Sequence, residues 1–178
     1  MTIEKQPMPV LVTPPSDYVV TLDFMKGHLR VDHDEDDSLI EAFMIAAAAY
    51  LDGWKGVLGR AIQPQTWRQT FSGPGPYRLA MPDVISVVVT GDGDAVAGAV
   101  VSVDAMGPVV TMPDGVSPAE VVIEYFCGMP PHLRVAAQVA VMLLVGHWYQ
   151  HRESVGDRGQ EIPMGFDMLI SPLRWRPF

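Results

Sequence analysis

The chain has 178 residues, of which 48% are hydrophobic and 19% charged, and its formal net charge is −9. That length suits one compact domain with room for a small inserted unit, and the hydrophobic content excludes a mainly disordered chain. An acidic protein is a poor nucleic-acid binder, because affinity rests on neutralising phosphates, although it can surround DNA without holding it. The charge is uneven: residues 1–130 carry 7 Lys/Arg and 17 Asp/Glu, whereas residues 131–178 carry 5 and 4. The single cysteine, Cys127, cannot form an intrachain disulfide, so a reducing compartment is expected. No leader pattern opens the sequence, and no apolar run, residues 139–146 included, approaches the about 20 residues of a membrane span.

Taken in order, residues 1–17 hold Pro7, Pro9, Pro14 and Pro15 and read as an extended arm. Thr21 is a good N-cap for a short helix over residues 22–29. A second helix is predicted over residues 34–57, from a stripe of Leu39, Ile40, Phe43, Met44, Ala47, Tyr50, Leu51 and Trp54. Acidic residues at positions 32 and 34–37 precede the stripe, where the helix dipole favours negative charge. Over residues 65–126 the period changes to short β-branched and aromatic runs separated by Gly, Pro and Asp clusters, the pattern of an antiparallel meander. Pro131 then suits the first turn of a third helix, predicted over residues 131–152 and apolar around most of its circumference. Such a helix must be buried on several sides, within its own core or against another subunit. Residues 166–170 allow one or two further turns, and Pro172 and Pro177 favour an extended tail. The expected class is α+β: a small helical bundle with an inserted antiparallel β region. The expected organisation is an N-terminal arm (1–17), one domain (18–165) and a C-terminal segment (166–178).

Few residues form a chemical constellation. His147 and His151 share a helix face at metal-ligand spacing, with Glu153 and His132 as candidate third ligands, but Gln150 stands where a zincin has its catalytic Glu. A metal-dependent enzyme using His147 and His151 is the alternative function this pair allows. The acidic run lacks the central Gly and closing Glu of a calcium loop. Gly91-Asp-Gly-Asp94 reads as a hairpin turn, and Cys127 as a packed thiol. No nucleophile elbow, P-loop or dinucleotide fingerprint occurs, so neither a catalytic residue nor a cofactor is expected. Trp148 reads as a core residue. Trp175, between Arg174 and Arg176 at the terminus, reads equally well as core or as interface, since Trp and Arg are enriched in binding hot spots.

Three stretches, in order, resemble the head–tail connector (adaptor) proteins of long-tailed phages and prophages. Val20-Thr-Leu-Asp-Phe-Met-Lys-Gly-His-Leu-Arg-Val-Asp-His-Asp-Glu-Asp-Asp-Ser-Leu-Ile40 is similar to the family's opening, in which A-K-x-H-L-R-V leads into an acidic stretch and then L-I. Gly59-Arg-Ala-Ile-Gln-Pro-Gln-Thr-Trp67 resembles its T-G-R-x-L-x-x-Q-T-W. Leu144-Val-Gly-His-Trp-Tyr-Gln-His-Arg-Glu-Ser-Val155 resembles its L-x-x-H-W-Y-E-N-R-E-A-V, with Gln150-His151 in place of Glu-Asn. An ending of the family's I-P-x-x-x-x-x-L-L-x-P-x-R type follows at residues 162–174.

The resemblance implies a non-enzymatic virion protein of the neck, made in the bacterial cytoplasm. Such proteins form a ring, usually twelvefold, beneath the portal. The ring extends the DNA channel, passes DNA without specific binding, and offers a platform to a stopper or tail-completion protein. Relatives occur in phages, prophages and gene transfer agents; other neck proteins, stoppers and tail terminators, are the nearest alternatives. On this reading Phe166, Leu169, Leu173, Arg174, Trp175, Arg176 and Phe178 are expected to dock on the portal protein. Phe43, Tyr50, Trp54 and Trp148 are expected at subunit contacts of a homo-oligomer. Asp34, Glu35, Asp36 and Asp37 are expected to face the channel. No membrane partner is implied.

Overall fold

The computed structural model describes residues 7–151 and 164–175. They form an α+β chain of two compact units. The helical unit comprises the described residues of Ser16–Ile62 and Pro130–Arg174, and the β unit those of Met1–Pro15, Gln63–Met129 and Trp175–Phe178.

In the helical unit, α1 spans Leu22–Leu29. Thr21 caps it as the sequence predicts, its hydroxyl accepting from the Phe24 amide. Arg30 closes the helix in the left-handed region, with φ 59°. The second helix, α2, spans Asp37–Leu51 and is shorter at both ends than the apolar spacing predicts. At its end Asp52 turns to extended geometry and its carboxylate accepts the Ile62 amide. A tight reversal follows, in which the amides of Gly53, Val57 and Leu58 bond to the carbonyls of Arg60, Tyr50 and Leu51. Trp54 therefore lies in this reversal and not on the helical stripe.

The third long helix, α3, spans Pro131–Gln150, with Pro131 at its first turn. Ala137, Ala140, Val141, Leu144 and Val145 are buried, a single stripe of 3- and 4-residue spacing. The apolar circumference expected to be covered on several sides is covered on one; Val135, Val139 and Leu143 are exposed. From α2, Ile40, Met44, Ala47 and Leu51 are buried, and α2 and α3 pack together. Complete burial of side chains such as Ile40 or Leu144 contributes about 1.5–3 kcal/mol each. A short helix, α4, spans Met164–Ile170 and runs into one 3-10 turn at Ser171–Leu173. Pro172 fits the start of that turn, so residues 171–173 are helical and Arg174 is the first residue after them with extended geometry.

The β unit has eight strands: β1 (Val10–Thr13), β2 (Gln65–Ser72), β3 (Tyr77–Arg78), β4 (Val84–Gly91), β5 (Asp94–Ala95), β6 (Val100–Asp104), β7 (Gly107–Thr111) and β8 (Glu120–Cys127). All pairings are antiparallel, but the order is not a meander. One sheet runs β1-β2-β8-β4-β5 and the other β3-β7-β6. The last strand, β8, returns to lie between β2 and β4, with Trp67 opposite Tyr125 on one side and Val87 opposite Tyr125 on the other. Alternation buries Gln65, Trp67 and Gln69 of β2 and Val121, Ile123, Tyr125 and Cys127 of β8. The proline-rich arm contributes β1, paired with β2 at the edge. Asp92 and Gly93 make the two-residue turn between β4 and β5 at positive φ, as Asp-Gly hairpins require.

Gln69 organises the core of this unit. Its amide oxygen accepts from the Tyr125 hydroxyl at 2.9 Å and the Ala80 amide at 2.8 Å, and its nitrogen donates to the Pro7 carbonyl at 2.7 Å. The bond to Pro7 ties the arm to the sheet. Burial pushes the Tyr125 phenol well above its ordinary pKa, with the neighbouring Cys127 adding to the shift, so Tyr125 stays a neutral donor.

Candidate functional site

The helical unit brings the first and third of the sequence stretches into contact. From α1, Lys26 reaches the acidic run, its ammonium 2.6 Å from Asp34 and 2.7 Å from Asp37. The hydrogen bond to Asp34, then that to Asp37, raise the Lys26 pKa, and the same Lys26 bond holds Asp34 below the usual carboxylate range. Asp36 stands at the N-cap of α2 yet makes no cap bond; its carboxylate accepts from the Tyr149 hydroxyl at 2.5 Å. Nearly two turns into α2, Phe43 meets Trp148 with ring centroids 6.2 Å apart and planes at 59°. A Cβ on Gly146 would lie 3.4 Å from His28 Nε2 and 3.9 Å from Leu29 Cδ2, at ordinary van der Waals distance, so α3 passes beside α1 at this position. Lys26, His28, Gly146, Trp148 and Tyr149 thus form one junction around the start of α2.

The acidic run is therefore not a helical face. Asp34, Glu35 and Asp36 precede the first residue of α2. Asp34 and Glu35 point outward, with side chains 89% and 92% exposed, while Asp37 is 29% exposed and held by Lys26.

Residues of the middle stretch hold the C-terminal segment in place. The Arg60 guanidinium is buried and donates to the Leu173 carbonyl at 3.2 Å, at the end of the 3-10 turn. That placement gives the Gly-Arg of the stretch a structural task that the sequence does not reveal. Phe166, Ile170 and Leu173 are buried in the helical unit, whereas Met168 is 76% exposed and Leu169 half-buried. Arg174 pairs with Asp167 at 3.3 Å. Trp175 sits in the β unit, on Gly107 of the β6–β7 turn, where a glycine Cβ would come within 2.7 Å of its Cζ2. The carboxylate of Asp104 in the same turn takes both terminal nitrogens of Arg78, at 2.7 and 2.8 Å. Arg176 and Phe178 lie outside the described residues.

Among the residues expected at subunit contacts, Phe43 and Trp148 are half-buried against each other, Trp54 is half-buried in the reversal after α2, and Tyr50 is exposed on α2. Of the metal candidates, His147 and His151 face each other at 4.6 Å between centroids, and the His151 Nδ1 lies 2.8 Å from the His147 carbonyl. His132 cannot join them: it lies at the opposite end of α3, about 22 Å away at the helical rise. Among the described residues no three His, Cys, Asp or Glu side chains gather as a metal site would need. Glu153 lies outside them. Cys127 is buried at the end of β8. Among the described residues no helix is long and apolar enough to cross a membrane.

A helical unit with a two-sheet β unit inserted in its sequence defines the class of fold, and that fold is found in solved structures. It is similar to a chain in the neck of an empty GTA particle reconstructed with sixfold symmetry, with TM-score 0.71 and 21% identity over 94% of this chain and 95% of that one. It is similar to the same degree to a chain in the virion of a native gene transfer agent particle, again with TM-score 0.71 and 21% identity. A chain in the neck of a native GTA particle reconstructed with twelvefold symmetry matches with TM-score 0.64 and 19% identity, over 94% of each. Neither the models of known protein families nor the curated proteins give a match to the sequence.

Proposed function

We propose that this chain is a non-enzymatic structural protein of the virion neck, a head–tail connector that assembles as a ring beneath a portal. The observation that carries this reading is the fold likeness to chains of gene-transfer-agent particles, which spans both compact units and 94% of the chain. The three sequence stretches add to it, because they converge on the junction of α1, α2 and α3 and on the seat of the C-terminal segment. In this role the ring extends the DNA channel and offers its far side to a stopper or tail-completion protein. DNA passes without specific contacts, in keeping with the net charge of −9. Twelve copies is the proposed stoichiometry.

The C-terminal segment from Phe166 is the proposed portal-docking element. Its buried members, Phe166 and Leu173, anchor it, leaving Leu169, Arg174, Trp175, Arg176 and Phe178 to engage the portal. Asp34 and Glu35 are the proposed channel-facing charges, with Asp36 and Asp37 holding the junction behind them.

The experiment is removal of the chain from cells that produce the particle. The expected result is DNA-filled heads without tails, restored by supplying the chain in trans. Particles with normally joined tails would overturn the proposal. A chain truncated after Leu173 keeps the buried anchors and is expected to lose portal co-sedimentation; unchanged co-sedimentation would remove the docking role from the tail.

A further inference from the structure

The outer faces of α2 and α3 are unlike ordinary solvent-facing helix surfaces. After Glu41, α2 carries no charged residue to its end, and the side turned away from the core holds Ala42, Ile45, Ala46, Ala49 and Tyr50. All five are exposed, Ile45 at 55% and Tyr50 at 47%. Between Arg134 and His147, α3 likewise has no charge, and its exposed side carries Val135 (61%), Val139 (39%) and Leu143 (41%). Gln138, the one polar side chain in that stretch, is taken up by the Val19 carbonyl. A helix face that stays in water normally carries charged or polar residues, and uncharged apolar faces of this kind mark interaction surfaces.

The two faces differ in shape. Val135, Val139 and Leu143 follow one another at four-residue spacing and make a raised ridge of branched side chains. On α2 the rows Ala42–Ala46–Tyr50 and Ile45–Ala49 leave a shallow furrow floored by alanines. Each feature is about 12 Å long at the helical rise. A ridge on one helix and a furrow of equal length on another, carried by the same chain, fit each other only between copies.

We propose that the α3 ridge of one subunit seats in the α2 furrow of the next, so that a second copy of this chain is the occupant of both faces. This rests on the ring reading given above and assigns its side-to-side contact. The contact is heterologous, and each subunit offers the free furrow to the next, which is what closure by rotation requires. A different protein on either face would leave the complementary one uncovered. Of the residues expected at subunit contacts, Tyr50 belongs to this furrow, while Phe43 and Trp148 meet each other within the subunit.

The test uses the full chain in particle-producing cells, with buried Cys127 left in place. Ala46→Cys and Val139→Cys are introduced together, and assembled particles are mildly oxidised. The expected result is a ladder of covalent multimers of this chain, whereas co-expressed single variants stop at dimers. In parallel, Ile45→Glu and Val139→Glu are expected to fold with unchanged thermal melting, since both sites are exposed, and to reduce tailed particles about tenfold or more. Tailed particles at the normal level from both glutamate variants, with no ladder from the double cysteine chain, would overturn the contact while the ring reading stands. A cross-link to a protein of different mass would overturn the second copy as occupant. A chain absent from the particle neck would instead defeat the reading on which the contact rests.

Discussion

Tyr149, near the end of α3, donates its hydroxyl to Asp36, the residue at which α2 begins, across 113 positions of sequence. The bond explains why Asp36 leaves its own helix uncapped. It also fixes where the far end of α3 lies beside the start of α2. A hydrogen bond to a charged, partly buried acceptor contributes about 1.5–3 kcal/mol. Tyr149→Phe is expected to lower the unfolding free energy by that amount in a urea titration. Asp36→Asn should give a smaller loss, and the double variant less than the sum of the two. Strict additivity would show that the two groups do not interact.

Gln69 is the second buried polar centre, and its partners come from three separate segments. Gln69→Leu leaves the Tyr125 hydroxyl and the Ala80 amide without this acceptor in a dry interior. The expected loss is about 2–4 kcal/mol, because stranded buried donors are costly. Tyr125→Phe removes one donor and keeps Gln69, so its expected loss is about 1 kcal/mol. The arm offers a separate readout: with Gln69 replaced, backbone amides near Pro7 should lose hydrogen-exchange protection. Retained protection there would mean that β1 pairing alone holds the arm.

Periodicity made the elements legible more than their joins. The stripe of α2, the start of α3, the Thr21 cap, the Asp92-Gly93 turn and the α+β class all follow from local sequence, whereas the single buried side of α3 does not. The end of α2 does not, because it is set by the Asp52 side chain reaching Ile62 and by the reversal that returns chain to Leu51. The sheet order was hidden for a related reason. Pairing of β2 with β8 joins segments about fifty residues apart, and alternation reports which face is buried but not which strand lies alongside. At the candidate site, Lys26, Asp36 and Tyr149 stand in the quoted stretches, yet their tasks depend on partners that no local pattern names. Arg60 is the clearest case: only the position of the Leu173 carbonyl reveals what it holds.

The β unit contains an acid-sensitive contact. Arg78 donates to both oxygens of Asp104, and that hydrogen bonding, helped by the Met106 amide, lowers the Asp104 pKa from 3.8 to about 2. A carboxylate with a depressed folded pKa binds its proton more weakly than in the unfolded chain. Its contribution is therefore complete above pH 3.8 and is lost as the pH falls from there through about 2. An NMR titration should place the Asp104 carboxyl near 2, and closer to its ordinary value in Arg78→Ala, where the Met106 and Gly107 amides still lower it. Neutral-pH stability should change little, since exposed ion pairs contribute little. An Asp104 pKa unmoved by Arg78→Ala would assign the depression to the backbone amides instead.

The β6–β7 turn that Asp104 opens also seats Trp175, and Gly107 is the position that allows it. Gly107 has φ 115°, a conformation that costs side-chain-bearing residues about 1–3 kcal/mol. An added methyl would also stand 2.7 Å from the indole Cζ2. Gly107→Ala is therefore expected to strain the turn and displace Trp175, lowering the unfolding free energy by at least that amount. The indole Nε1 of Trp175 is buried without a hydrogen-bond partner, so leaving this seat releases an unsatisfied donor to water. Of the four tryptophan indole resonances, the one lost in Trp175→Phe should be the one that moves most in Gly107→Ala. If that resonance stays in place while stability falls, the strain belongs to the turn alone. If neither changes, Trp175 is not held on Gly107.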